Sequence, residues 1–171
     1  MKKIRNRCIG LLCLYSMTLL LNPLAQAQEI TVETLVERQK IQDLITRYYY
    51  NFGGTPESFA DFYAEDGEFI LIGQHLKGRE AIAGAYTFPE GQAPQNLSFN
   101  SLVSNLLVWV DGDTARAQLV WTENVIQGQG DPVHIPFQGR EYSTFVKVDG
   151  KWMYKTRELR IGTEAPDGWG Q

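Results

Sequence analysis

The sequence predicts an α+β domain in which helices come first and a strand meander follows. Three observations carry this. Ile41, Leu44, Ile45, Tyr48 and Phe52 recur at spacings of three and four, the period of one helical face. From about Leu97 onward, polar and apolar residues alternate every second position instead. Asp111-Gly112-Asp113 and Asp149-Gly150 stand between the alternating runs as hairpin turns. Helices of this kind, laid across a curved sheet, can enclose a pocket, so function rests on the few polar residues facing it.

Before the first helix, residues 1–27 read as a secretory signal peptide. Lys2, Lys3, Arg5 and Arg7 form a basic start, Ile9 to Leu21 an apolar core, and Ala25-Gln26-Ala27 a cleavage site before Gln28. The expected product is periplasmic or secreted, with no membrane insertion after cleavage. Its charge then changes. The chain carries 16 basic and 20 acidic residues; without the leader's four basic residues, 12 remain against 20, a formal charge of −8. That balance gives no electrostatic footing on nucleic acid or anionic lipid. Both cysteines, Cys8 and Cys13, lie in the leader, which excludes disulfides, thiolate nucleophiles and cysteine metal sites from the mature part.

The elements follow in order. Gly53-Gly54 stops the first helix, and Thr55-Pro56 starts a second as cap and first helical residue. Glu65-Asp66-Gly67 is expected to end it, and Glu68 to Ile72 to begin a strand. Lys77 to Tyr86 reads as a short helix and Phe88 to Asn96 as a loop. Strands are expected at about Leu97 to Val110, Thr114 to Ile126, Arg140 to Val148 and Lys151 to Ile161. Gln127 to Gly139, with three Gly and two Pro, reads as a long loop. Residues 162–171 read as a loosely held tail.

Alternation assigns faces. In the run from Thr114, the residues Ala115, Ala117, Leu119, Trp121 and Glu123 share one side, small at one end and aromatic at the other. Glu123 continues an apolar face. It is either solvated at a pocket mouth or buried with a raised pKa. His75 and His134 are the two histidines, each either a solvated loop residue or a group near an open end. Two isolated histidines without cysteine make no metal site, and no cofactor motif is present.

Five phrases lie along the chain in a familiar order: LITRYYY, FADFYAEDGEFI, KGREAIAGAY, SLVSNLLVWVDGDTARAQLVW and YSTFVKVDGKWMYKTREL. From about Val32 to Ile161 they resemble the SnoaL-like branch of the nuclear transport factor 2-like (NTF2-like) superfamily. The resemblance implies a cone-shaped α+β barrel, a curved antiparallel sheet wrapped around about three N-terminal helices, with a pocket at one end. Superfamily members include cyclases, isomerases, dehydratases, hydrolases and binders, so the fold alone chooses no function.

The resemblance also sets out where catalysts usually stand. An Asp often follows the first-helix Tyr by about five residues; counting from Tyr48, this chain has Gly53. A His often precedes the Ser/Thr-Asn of the first long strand; here the position is Ser101, ahead of Ser104-Asn105, and Asn105 fits the pattern. Neither Gly nor Ser supplies a titratable proton carrier. Arg157 matches an Arg that commonly has a structural or ion-pair role in similar proteins.

The expected function is therefore binding of a small, largely apolar organic molecule, without cofactor, in a pocket lined by Tyr48, Tyr49, Phe62, Trp109, Trp121 and Tyr142, with Arg157 beside it. One alternative is a cofactor-free isomerase, dehydratase, cyclase or hydrolase using Glu123 and His134 as proton carriers and a Tyr as donor. Another is a partner-binding module whose exposed sheet face forms a homodimer, as in many relatives.

Overall fold

The structure is a computed structural model that describes residues 30–51, 54–87, 98–128, 130–162 and 164–169. The leader, Phe52, Gly53 and the Phe88–Asn96 loop lie outside the described residues. Helix α1, Val32–Tyr50, starts at a Thr31 cap whose hydroxyl accepts from the Thr34 N–H, with the Thr34 hydroxyl answering the Thr31 N–H. It buries Ile41, Leu44, Ile45, Tyr48 and Tyr49, the stripe its 3.6-residue period dictates. Helix α2, Pro56–Ala60, is capped by Thr55 with Pro at its first position. Helix α3 is Arg79–Gly84.

Six strands form one sheet: β1 Tyr63–Leu71, β2 Gln74–Lys77, β3 Ser98–Asp111, β4 Thr114–Ile126, β5 His134–Val148 and β6 Lys151–Ile161. Their order is β2-β1-β6-β5-β4-β3, a curved, unclosed sheet with helices on its concave side. It is mixed rather than wholly antiparallel, because β1 and β6 run parallel. The Asp149-Gly150 turn has positive φ at both residues, 49° and 76°, which matches the twist of a two-residue hairpin.

Boundaries differ from the expectation. Lys77 ends strand β2, and the helix after it spans only Arg79–Gly84. Helix α2 stops at Ala60, and Glu65-Asp66-Gly67 lie inside β1, where the register with β6 shifts between Tyr63 and Glu68. Gly67 permits that bulge: a Cβ there would stand 2.9 Å from both the Ala64 carbonyl oxygen and Tyr63 Cβ. On the C-terminal side, His134 to Gly139 belong to strand β5, not to a loop. Phe137, Gln138 and Gly139 pair with Glu123, Thr122 and Trp121, and a register shift beyond Glu123 accommodates the segment before them.

Register sorts the concave side into rows across the strands. Tyr154, Phe145, Ala115 and Val110 form the first. Phe69, Arg157, Ser143, Ala117 and Val108 form the second. Leu71, Leu159, Glu141 and Leu119 follow, then Ile161, Gly139, Trp121 and Val103, and last Phe137, Glu123 and Ser101. The first two rows are buried, whereas Phe137 and Ile161 are 45 % and 53 % exposed. The rows thus run from a closed base to an open rim.

Candidate functional site

The second and third rows carry charge into the base. Glu141 and Ser143 are fully buried and Arg157 is 2 % exposed. Arg157 donates through Nε to Glu141 Oε2 at 2.8 Å, through Nη1 to the Tyr48 hydroxyl at 3.0 Å and through Nη2 to the Tyr49 hydroxyl at 2.9 Å. The Tyr49 hydroxyl donates to Glu141 Oε2 at 2.5 Å, and Ser143 donates to Glu141 Oε1 at 2.7 Å. The Tyr48 hydroxyl also bonds that of Tyr86. The α1 stripe supplies the two phenols because Tyr48 and Tyr49 both lie on its buried side. The sheet supplies the ion pair because residues 141 and 157 fall on the concave phase of β5 and β6.

An ion pair this deep is costly to desolvate, and its hydrogen bonds offset that cost. Burial opposes the charge on Arg157. The Glu141 carboxylate and the neighbouring Tyr48, Tyr49 and Tyr63 oxygens together outweigh it, so the guanidinium is held above its already high pKa. Burial also pushes Tyr48, Tyr49 and Tyr86 well above the ordinary phenol value. Aromatic faces complete the enclosure: the guanidinium lies 4.4 Å from the Tyr48 ring centroid and 5.0 Å from that of Phe69. The hub is thus neutral as a whole and fixed in place.

Toward the rim the surface becomes apolar. Leu119, Leu159 and Trp121 are buried, Val103 is half-buried, and Glu123 comes last. Glu123 is half-buried with no ion-pair partner among the described residues, and burial holds its carboxyl above the usual range. Trp121 Nε1 is buried without a hydrogen-bond partner among the described residues. Gly139 leaves room for this indole: a Cβ there would lie 3.1 Å from Trp121 Cζ2 and 2.2 Å from the Arg160 carbonyl oxygen.

The structure gathers Tyr48, Tyr49, Phe62 and Arg157 around the helix–sheet core, with the Phe62 ring 5.4 Å from that of Tyr48. Trp121 and Glu123 occupy the outer rows of the same concave side. Trp109 and Tyr142 stand on the opposite side, because they pair with Arg116 and Glu158, one residue out of phase with the concave rows; Tyr142 is buried there against Trp169. There Arg116 lies 5.0 Å from the Trp109 ring and 5.8 Å from that of Trp169, whose own ring meets Tyr142 at 5.3 Å. Trp169 thus packs on the outer sheet face. A broad groove crosses this end of the sheet, lined by Trp109, Arg116 and Thr144 of the outer face and by Val110, Ala115 and Phe145 of the first concave row. His134 is exposed and pairs with Val125 at the start of β5. His75 is tied to Glu68 at 2.7 Å on the sheet edge. Asn105 has φ 52° at the β3 bulge, a backbone role Asn tolerates. Ser101 faces the same side as Glu123.

Sequence reasoning missed Glu141, Ser143 and Tyr86. The phase of β5 contained the signal for the first two. Phe145 is apolar and inward, so two- and four-residue steps back from it reach Ser143 and Glu141 rather than Tyr142.

The SnoaL-like domain family matches residues 33–158 of the chain. No curated protein matches the sequence. Among solved structures, a Mycobacterium tuberculosis protein of unknown function is similar at 27 % identity, covering 76 % of this chain and 74 % of its own, with a TM-score of 0.66. An NTF2-like protein of Novosphingobium aromaticivorans with a cystatin-like fold is 25 % identical over 80 % of this chain and 86 % of its own, with a TM-score of 0.66. A candidate scytalone dehydratase from the same organism is 26 % identical over 83 % of this chain and 100 % of its own, with a TM-score of 0.64.

Proposed function

The chain belongs to the SnoaL-like family of the NTF2-like superfamily, and from that premise we propose that it is an exported protein binding a small, largely apolar organic molecule on the concave side of its sheet. One observation carries the reading: the inner rows lead from a half-exposed apolar rim, past Trp121, Leu159 and Leu119, to a base whose charges are already matched. Such a surface favours a neutral guest, since Arg157 has spent donors from all three of its nitrogens on Glu141, Tyr48 and Tyr49. The basic-apolar leader supports export. Native mass spectrometry of the mature protein tests the reading. A retained small molecule supports it; the bare protein mass, persisting after incubation with apolar compounds, contradicts it.

A second reading is cofactor-free acid–base chemistry as an isomerase, dehydratase, cyclase or hydrolase. Glu123 favours it: half-buried, without a counter-ion among the described residues, its carboxyl moves toward neutral pH as a proton carrier requires. The likeness to a candidate scytalone dehydratase points the same way. If a retained molecule is converted, Glu123→Gln should stop conversion while retention persists. Unchanged turnover removes this reading.

A further inference from the structure

Lys40, Leu44 and Arg47 stand at spacings of four and three on α1, so they form one stripe of the helix. Leu44 is buried, and the two cations flank it at the surface. The stripe is one wall of a hollow of about 430 Å³. Its other walls are the link from α2 to β1, with Asp61 and Phe62, and the β5–β6 turn, with Lys151, Trp152 and Met153. The hollow lies outside the concave rows, because its sheet residues precede Tyr154, the β6 member of the first row.

Charge is the first observation that marks it. The chain has more acidic than basic residues, yet the hollow is lined by the cations Lys40, Arg47 and Lys151 against one carboxylate, Asp61. Lys40 is paired with Glu37 at 2.8 Å. Arg47 spends only its Nε, on the Asp43 carbonyl oxygen at 3.3 Å, while the Asp43 carboxylate accepts from Gln39. Neither the Nη groups of Arg47 nor Lys151 Nζ has an acceptor among the described residues. A cation in the last turn of α1 also offsets the helix dipole. That local role does not account for Lys151, which the hairpin turn brings to the same hollow.

The floor is the second observation. Phe62 and Met153 are half-buried beside the buried Leu44 and Trp152. The Trp152 indole is fixed there: its Nε1 donates to Glu37 at 2.6 Å, and the Lys147 ammonium lies 4.7 Å from its ring. Small-molecule sites span roughly 300–1,000 Å³, so the hollow has room for a two-ring compound. Cations above an apolar floor match a ligand with an anionic head and a flat apolar body. An inorganic anion would leave the floor unused. A neutral apolar molecule would desolvate Arg47 and Lys151 without pairing them.

We infer that this hollow is a second binding site, for a small organic carboxylate with an aromatic body. The carboxylate pairs with Arg47 and Lys151, and the ring rests on Phe62 and Met153. The site is separate from the concave side and does not depend on the reading proposed for it.

The experiment titrates ¹⁵N-labelled mature protein with 1-naphthoate, with its neutral isostere 1-naphthamide and with inorganic phosphate. The Trp152 indole N–H reports on the hollow, and the Trp121 indole N–H on the concave side. 1-Naphthoate should move the Trp152 resonance and bind at least about 5-fold more tightly than 1-naphthamide, the worth of two exposed charge pairs. Added salt should weaken it. Arg47→Gln and Lys151→Gln, both at exposed residues, should each lower the naphthoate affinity about 2–5-fold and leave the naphthamide response unchanged. A Trp152 resonance that naphthoate does not move overturns the inference. So do equal affinities for acid and amide, an equal response to phosphate, or variants that both bind as wild type does. Movement of Trp121 with Trp152 unchanged overturns it too, while supporting binding on the concave side. If a variant loses its cooperative melt, the acid-to-amide ratio of wild type decides alone.

Discussion

Arg157 and Glu141 meet across neighbouring strands, Nε to Oε2 at 2.8 Å, with side chains only 3 % and 0 % exposed. Each holds the other's charge in place, and together they orient the two phenols of α1. Removing one partner strands the other. Glu141→Gln and Arg157→Met should each destabilise the fold by about 3–5 kcal/mol. The double replacement Glu141→Leu with Arg157→Met should lose less than the sum, because no buried charge is left over. Denaturant unfolding of the three variants measures this coupling.

Gly139 governs the seat of Trp121. With 2.2 Å between a Cβ at this position and the Arg160 carbonyl oxygen, and 3.1 Å to Trp121 Cζ2, Gly139→Ala must move backbone as well as indole. The expected cost is about 1–3 kcal/mol, accompanied by a shifted Trp121 fluorescence maximum. A thermal melt and an emission spectrum check both.

Glu37 joins α1 to the far hairpin. It accepts from Trp152 Nε1 at 2.6 Å and pairs with Lys40 at 2.8 Å and Lys147 at 3.0 Å. The bonds from Lys40, Lys147 and Trp152 hold its pKa at about 2 against an ordinary 4.5. A depressed carboxylate stabilises above its unfolded pKa and loses that contribution as pH falls through the folded value. Stability should therefore decline between pH 4.5 and pH 2. Glu37→Gln should flatten this limb and cost on the order of 1–2 kcal/mol at neutral pH once solvent screening is allowed for. Urea midpoints across that range measure it.

Glu123 should act with the opposite sign. Burial raises its folded pKa above the unfolded value, so its favourable contribution is present below the unfolded pKa and fades as pH rises through the folded one. Glu123→Gln should leave neutral-pH stability unchanged or slightly increased. Its stability difference from wild type should grow from acid toward neutral pH, measurable by thermal melts at stepped pH.

Much of the fold was legible because it rests on local rules. The stripe of α1, the Thr55-Pro56 start and the turns at Gly112 and Gly150 each follow from a few neighbouring residues, and the strands Thr114–Ile126 and Lys151–Ile161 have the bounds the alternation gives. The site was less legible because its members are set by phase and by distant pairing. Tyr142 and Trp109 look like pocket residues by size, yet each is one residue out of step with the concave face. Glu141 looks like a surface charge until Arg157 is placed opposite it from another strand. Bulges defeat simple counting: the shifts in β1, β3, β5 and β6 change which residues face inward. Tyr86 is found only through its contact with Tyr48, 38 positions away.

The four indole N–H groups separate the two faces of the sheet in one spectrum. Trp121 stands on the concave side, Trp109 and Trp169 on the outer face, and Trp152 is tied to Glu37. Titration of the ¹⁵N-labelled mature protein with tetralin, a small neutral apolar compound, should move the Trp121 resonance and leave those of Trp109 and Trp169 in place. Movement of Trp109 and Trp169 with Trp121 unchanged would contradict binding on the concave side.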